Sequence, residues 1–599
     1  MMRKLLILLT IFICLTSAGC GKRQNSASKQ LNKLFEDELE FSLREDPLFA
    51  TFYGDHHFDD KLPTLSQDDM DRRAKQTSVF LERLNAINRK DLSDEDKTNY
   101  DIFKQQLENS IKWHQLRSYL MPISHMGGFH THFAQLADNL TFNTVRDYEN
   151  YISRMNAFGL YTRQHIELMR EGIERGMVPP KIILEQIPQT LESLIAEDIN
   201  DSKLFEPLKK YPPTFSAAEK QRLTEAGLTA IRESVIPAYR QLLKFIREEY
   251  IPAGRADISI SSLPNGKEYY RHCIRYHTTL DLTPEQIHQT GLAEVKRIRQ
   301  EMTDIIRKCG FKGDLAGFKK FLQKDKRFYV DTPEQLLKEV AYILKKTDGQ
   351  LPKYFHRLPR MPVGLKKVPS YIEAKAPGAY YTEPTMDKTK AGFYYVNTYD
   401  LKNIKLYNLA ATALHETNPG HHLQIALQQE MENLPAFRRL AHFTAYVEGW
   451  ALYAEQLGEE MEIYEDDYSR FGKLDNEMWR ACRLVVDTGI HRLGWSRQQA
   501  IDFMLENSSQ NKGPITTEVD RYIVWPGQAL SYKIGEMKIM ELRRMAEKKL
   551  GQDFDIRQFH DIILNSGAVP LDILQENVRN WLATKTHCEA DNDSQRGVN

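Results

Sequence analysis

In the stretch ALHETNPGHHLQ, Ala413 to Gln424, a histidine-glutamate pair, His415-Glu416, is followed by two further histidines, His421 and His422. In the HExxH pattern of zinc proteases the two histidines are four apart. One helical face then carries both imidazoles to one ion, with the glutamate beside the water on it. Here His415 and His421 are six apart, which on an unbroken helix turns them about 120° from one another. Pro419-Gly420 lies between them. Proline removes a backbone donor and glycine frees the chain, so the helix must kink or bulge there. A bulge of two residues would bring His421 back toward His415, and His422 stands as the other candidate for the second ligand.

A zinc site needs at least a third protein ligand. In HFTAYVEGWALYAEQLG, Glu448 sits among Val447, Gly449, Trp450 and Ala451, an apolar setting in which an unpaired carboxylate is costly. A cation therefore belongs beside it, and two imidazoles with a carboxylate are zinc-type donors. Glu455, seven residues on, shares that helical face and is placed to accept a hydrogen bond from a ligand histidine. Arg483, Asp487 and His491 fall at i, i+4 and i+8 on one stripe. Asp487 is thereby expected to fix the His491 imidazole, making His491 a catalytic candidate; the bland use of this spacing is an ion-pair ladder. The segment SHMGGFHTHF, with His125, His130 and His132, has neither an acidic partner nor helical spacing and reads as a glycine-bent loop.

These side chains must be positioned by helices. From Leu31 to Ile251 long amphipathic patterns dominate, for example YISRMNAFGLYTRQHIELMREGIERG, Tyr151 to Gly176, with Gly176 as a stop. Pro252-Ala253-Gly254 then punctuates the chain, and capping boxes at Thr283, Thr332 and Ser496 predict further helices. Between Pro359 and Asp400 the runs SYIEAK, GAYYTE and GFYYVNTY predict a small antiparallel β-sheet over 369–400, next to the histidine helix. The expected organisation is mainly α: an N-terminal helical lobe over 31–251, a C-terminal catalytic lobe over 252–586 and a disordered tail over 587–599.

The N-terminus, MMRKLLILLTIFICLTSAGC, has a basic start, an apolar run and small residues ahead of Cys20. It resembles a bacterial lipoprotein signal, with residues 1–19 removed and Cys20 carrying the lipid. Residues 20–30 read as a polar tether, which places the protein in the bacterial cell envelope, anchored by lipid and facing outward from the cytoplasm. Loss of Arg3 and Lys4 leaves 79 basic against 82 acidic residues, a balance that argues against nucleic acid as a partner. Cys273, Cys309, Cys482 and Cys588 are widely spaced, so neither a disulfide framework nor a thiolate zinc site is expected.

The blocks HETNPGHHLQ, YVEGWALYAEQLG, RLVVDTGIHRLGWSRQQAIDFM, RYIVWPGQALSYKIGEMKIMELR and FHDIILNSGAVPLDILQENV resemble the bacterial family known as domain of unknown function 885, over most of the mature chain. That family is grouped with helical gluzincin peptidases such as thimet oligopeptidase, Taq-type carboxypeptidase and angiotensin-converting enzyme. The resemblance implies a two-lobed, metallopeptidase-like helical fold with a deep cleft and the metal on its floor. It also implies His415, His421 and Glu448 as ligands of one Zn2+ per chain, with Glu416 as general base. In RYIVWPGQALSY it implies Tyr522 and Tyr532 as donors to the oxyanion. The HETNPGH spacing is longer than the HExxH of those relatives and than the HExxxH of the dipeptidyl peptidase III group. The expected function is a zinc-dependent peptidase acting on short peptides, with GFYYVNTY pairing with the substrate backbone. The alternatives are a non-catalytic peptide- or partner-binding lipoprotein, and a metal-dependent hydrolase of another amide or ester bond.

Overall fold

The computed structural model describes residues 26–596 apart from 196–197, 371–372, 374–375, 387 and 389. The signal segment and Cys20 lie outside the described residues. Ser26–Gln30, expected as the end of a tether, form the first turns of a helix, Ser26–Glu45. The reason lies just beyond them: Leu31, Leu34 and Phe35 are buried against Phe80 and Phe103, and a docked apolar stripe propagates helix into neighbouring residues at little cost.

The chain is mainly helical, as the periodicity predicts. The helices that matter for the site are α1 (Asp94–Gln115), α2 (Val145–Glu174), α3 (Gly266–Thr278) and α4 (Pro284–Lys308). After a small sheet come α5 (Leu406–Glu416), α6 (His421–Gln429), α7 (Thr444–Glu460) and α8 (Asp467–Leu493). The last are α9 (Lys512–Val524), α10 (Ser531–Leu550) and α11 (Leu571–Arg596). All three expected capping boxes form, at Thr283, Thr332 and Ser496, each hydroxyl accepting from the backbone three residues on. In α11, Leu571, Leu574, Val578 and Leu582 are buried. That helix continues to Arg596, through most of the segment read as a disordered tail.

One core cluster draws only on residues between Ile123 and Tyr250. The larger core around Trp450 also takes in Ile102, Leu116, Leu120, Leu168 and Met177. The halves on either side of residue 251 thus share buried surface.

The sheet differs from the expected antiparallel one. Its strands are β1 (Val363–Lys367), β2 (Ala379–Thr382) and β3 (Gly392–Val396), in the order β1-β3-β2. β3 pairs parallel with β1, Leu365 opposite Tyr394, and antiparallel with β2, Tyr381 opposite Tyr394. The sheet is therefore mixed, and its first strand precedes SYIEAK. Alternating side chains mark a strand but carry no information on which neighbour it takes or in which direction. The GFYYVNTY segment is the central strand, with both hydrogen-bonding sides used. It offers no edge to a substrate, which corrects that expectation. Its inward residues Tyr394 and Val396 pack with Leu409 and Ala413 of α5, seating the sheet on the histidine helix.

Two backbone-to-backbone crossings fix the helices around α5 and α7. A Cβ on Gly535 of α10 would lie 1.9 Å from the Ala445 carbonyl oxygen of α7, and one on Gly449 would lie 2.5 Å from Gly535. A Cβ on Gly472 of α8 would lie 1.9 Å from the Tyr407 oxygen of α5. Gly535→Ala is accordingly expected to destabilise the fold by about 3 kcal/mol, the upper end of ordinary overpacking. Urea titration of the whole chain measures this; an unchanged midpoint would show that α7 and α10 separate freely.

Candidate metal centre

The broken HExxH is resolved by ending the helix rather than bulging it. α5 stops at Glu416, the Thr417-Asn418-Pro419-Gly420 loop follows with a cis Asn418–Pro419 peptide, and α6 begins at His421. Proline and glycine stop the hydrogen-bond ladder, so the six-residue spacing is spanned by two helices meeting at a corner. Glycine is required at 420 because a Cβ there would lie 2.1 Å from the His415 carbonyl oxygen. The loop is pinned from the other side by the Trp450 indole, which donates to the Pro419 carbonyl at 2.8 Å. The result sets the His415 and His421 rings edge to face, with centroids 4.7 Å apart.

Glu448 of α7 faces both histidines. Its Oε2 is 3.5 Å from His415 Nε2 and 3.4 Å from His421 Nε2, and makes no hydrogen bond. The three donor atoms lie within 4.8 Å of one another. Donors about 2.0–2.1 Å from a tetrahedral zinc are separated by about 3.3 Å, so these contacts are long for hydrogen bonds and suited to sharing a cation. Among the described residues, these three form the group with metal-holding geometry. The second nitrogen of His415 is already committed: Nδ1 meets Glu455 Oε1 at 2.8 Å, which orients the ring and leaves Nε2 toward Glu448. Arg480 approaches the same Glu455 oxygen at 3.4 Å.

The electrostatics are those of a buried charge cluster. Burial by itself would lower the His415 pKa, but the Glu448 and Glu455 carboxylates outweigh it and raise it to about 9. Burial likewise opposes ionisation of Glu448, yet the two imidazoles hold it well below the ordinary carboxylate range. An ionised carboxylate this deep needs positive charge beside it.

His422 is placed elsewhere. It is fully buried, its Nδ1 meets the Tyr381 hydroxyl and its Nε2 the Met361 carbonyl oxygen, each at 2.9 Å. The ring nitrogens thus tie α6 to β2 and to the segment leading into β1, and burial pushes its pKa down to about 4. Glu416, next to His415 at the end of α5, is partly exposed and has no hydrogen-bond or ion-pair partner among the described residues.

The two tyrosines separate. The Tyr532 ring, at the start of α10, stacks toward His415 with centroids 6.4 Å apart, and its hydroxyl has no hydrogen-bond partner among the described residues. On Tyr532 lies the Arg483 guanidinium, 4.4 Å from the ring centroid. The Tyr522 hydroxyl instead donates to Glu518 and accepts from Arg483 Nε, both at 3.0 Å.

The expected Asp487–His491 pair does not form. Asp487 accepts from the Tyr270 hydroxyl at 2.6 Å and the Gly527 backbone at 2.9 Å, and burial pushes its pKa up to about 7. His491 takes the Ile260 N–H on Nδ1 and meets the Tyr522 carbonyl through Nε2. Burial pushes its pKa down to about 3, so it is a neutral core group bridging α8 to its neighbours. Spacing puts both residues on one face of α8, but the segments packed on that face supply nearer partners to each. Of the residues around the centre, Arg480, Tyr381, the place of Arg483 over the Tyr532 ring and the loop-pinning role of Trp450 had no signal in the linear spacing, since each acts across separate elements. The SHMGGFHTHF segment forms a two-residue ladder, Ile123–Ser124 with Gly127–Gly128, then a short helix, Phe129–Ala134.

A family described as bacterial protein of unknown function (DUF885) matches residues 47–578. A crystal structure of a candidate lipoprotein from Colwellia psychrerythraea is 29% identical, with a TM-score of 0.88, over 93% of this chain and all of that one. A candidate lipoprotein of unknown function from Shewanella oneidensis shares the fold at 19% identity and a TM-score of 0.71, over 92% of this chain and 99% of its own. No functionally curated protein matches the sequence.

Proposed function

Starting from a chain that belongs to the DUF885 family of bacterial proteins, we propose that it is a zinc-dependent peptidase of the gluzincin type that cleaves short peptides outside the cytoplasm. The observation that carries this reading is the meeting of His415, His421 and Glu448, with His415 oriented by Glu455. Those three residues would hold the ion. A zinc ion bound there supplies Lewis acidity, lowering the pKa of water and polarising a carbonyl.

The chain's own residues do the rest. The Glu416 carboxylate accepts a proton from water as the water oxygen bonds to the peptide carbonyl carbon, then returns that proton to the amide nitrogen as the C–N bond breaks. The Tyr532 hydroxyl, lacking a partner and lying over the His415 side of the site, donates to the developing oxyanion. Tyr522, whose hydroxyl is engaged by Arg483 and Glu518, holds α9 against α8. Tyr532→Phe is expected to lower kcat about tenfold to a hundredfold with little change in KM, while Tyr522→Phe keeps near-normal kcat. Steady-state kinetics on one fluorogenic peptide compares them; equal losses in both would assign the oxyanion to neither tyrosine alone.

The lipoprotein relatives support an envelope location, with Cys20 as the lipidated residue. Wild type should fractionate with membranes and Cys20→Ala should not. Equal recovery of both in the soluble exported fraction would refute the anchor.

A further inference from the structure

We propose that the cavity at the entrance to α7 is a substrate subsite that takes an uncharged peptide residue and excludes charged ones, an inference that rests on the peptidase reading. The cavity has a volume of about 360 Å³. Its walls are Gln105, Asn109 and Ser110 of α1, the rings of Trp113 and Tyr276, and His442 and Thr444 where the chain enters α7. Among the described residues, no Asp, Glu, Lys or Arg lines it.

Its position ties it to the metal centre. Thr444 is the first residue of α7 and Glu448 comes four residues later, about 6 Å along the helix axis. A peptide held with its scissile carbonyl at Glu448 therefore has a neighbouring residue in reach of the cavity. The aromatic wall is held firmly: Trp113 packs edge to face on His272 at 4.4 Å and on Tyr276 at 5.4 Å between centroids. His277, next along α3, contacts both Tyr276 and Trp525, extending the wall toward the segment after α9.

The lining chemistry selects the occupant. Carboxamides and hydroxyls exchange hydrogen bonds with peptide amides and with neutral polar side chains, and aromatic faces cover apolar stems. A lysine or glutamate side chain entering the cavity would give up hydration and meet no opposite charge. α1 thus supplies specificity to a centre built entirely by residues after 400.

Equilibrium binding tests this on the purified mature chain carrying Glu416→Gln, which leaves the probes uncut, with hydrolysis of the same probes followed on wild type. The probes are alanine hexapeptides carrying one Gln, Lys or Glu moved through each position. At one position Gln should bind about tenfold tighter than Lys or Glu, and Asn109→Asp should reverse this to favour Lys. Ser110→Asp, on an exposed position of the same wall, should do the same if Asn109→Asp folds poorly. An unchanged order in both variants, no discrimination at any position, or no binding of any peptide overturns the proposal. Because the readout is binding, charge discrimination without hydrolysis would sink the peptidase reading and leave the subsite standing.

Discussion

Glu416→Gln is expected to leave zinc content and stability unchanged while lowering kcat about a hundredfold to ten-thousandfold, the range for loss of a general base. The structure makes this substitution clean. Glu416 is partly exposed, ends α5, and has no hydrogen bond or ion pair to lose among the described residues, so a neutral isostere removes basicity and little else. The ring of its neighbour His415 is fixed by Glu455 and faces Glu448 through its other nitrogen, so ligand geometry does not depend on Glu416. Turnover of a fluorogenic peptide at saturating concentration, alongside elemental analysis of the same sample, measures both properties. A Gln variant with full turnover and one zinc per chain would remove Glu416 from the mechanism.

The second large effect concerns the ion itself. The native mature chain is expected to retain close to one zinc after mild dialysis, and His421→Ala and Glu448→Ala are each expected to lose it together with activity. His422→Ala should keep the metal. Its cost should fall on stability, because the Tyr381 hydroxyl and the Met361 carbonyl lose their partner and a broken buried hydrogen bond costs about 1–3 kcal/mol. Wild type stripped of metal with a chelator should gain stability when zinc is added back, about 2.7 kcal/mol at a hundredfold excess over Kd, and Glu448→Ala should not. Unchanged stoichiometry in Glu448→Ala would exclude that carboxylate as a ligand. Greater metal loss in His422→Ala than in His421→Ala would exchange the two histidines. A native protein without bound metal would favour the peptide-binding lipoprotein over the enzyme.

Much of this architecture was legible before any coordinates. Helix starts at Thr283, Thr332 and Ser496 are local events, decided by one hydroxyl and one side-chain amide three residues on. Glu448 stood out because an ionised carboxylate among Val447, Gly449 and Trp450 is costly without a positive partner. Glu455 followed from helical spacing alone. The Pro419-Gly420 pair announced that the helix could not run through. Each of these inferences used a physical rule that acts over a few residues.

What the chain does over long distances was decided by packing. Whether His421 or His422 turns toward His415 depends on Gly420 closing against α5, on Trp450 pinning the loop, and on Tyr381 and the Met361 carbonyl claiming the two nitrogens of His422. The direction of β1, the central place of β3, and the diversion of Asp487 and His491 to Tyr270, Gly527 and Ile260 were likewise settled between segments far apart in sequence. The linear sequence by itself marked the mainly helical class, the capped helix starts, the break at Pro419-Gly420 and the three residue types that suit a metal. Only the tertiary structure decided which nitrogens and oxygens face one another, because a side chain's partner is set by what packs against its helix, and spacing along that helix does not contain it.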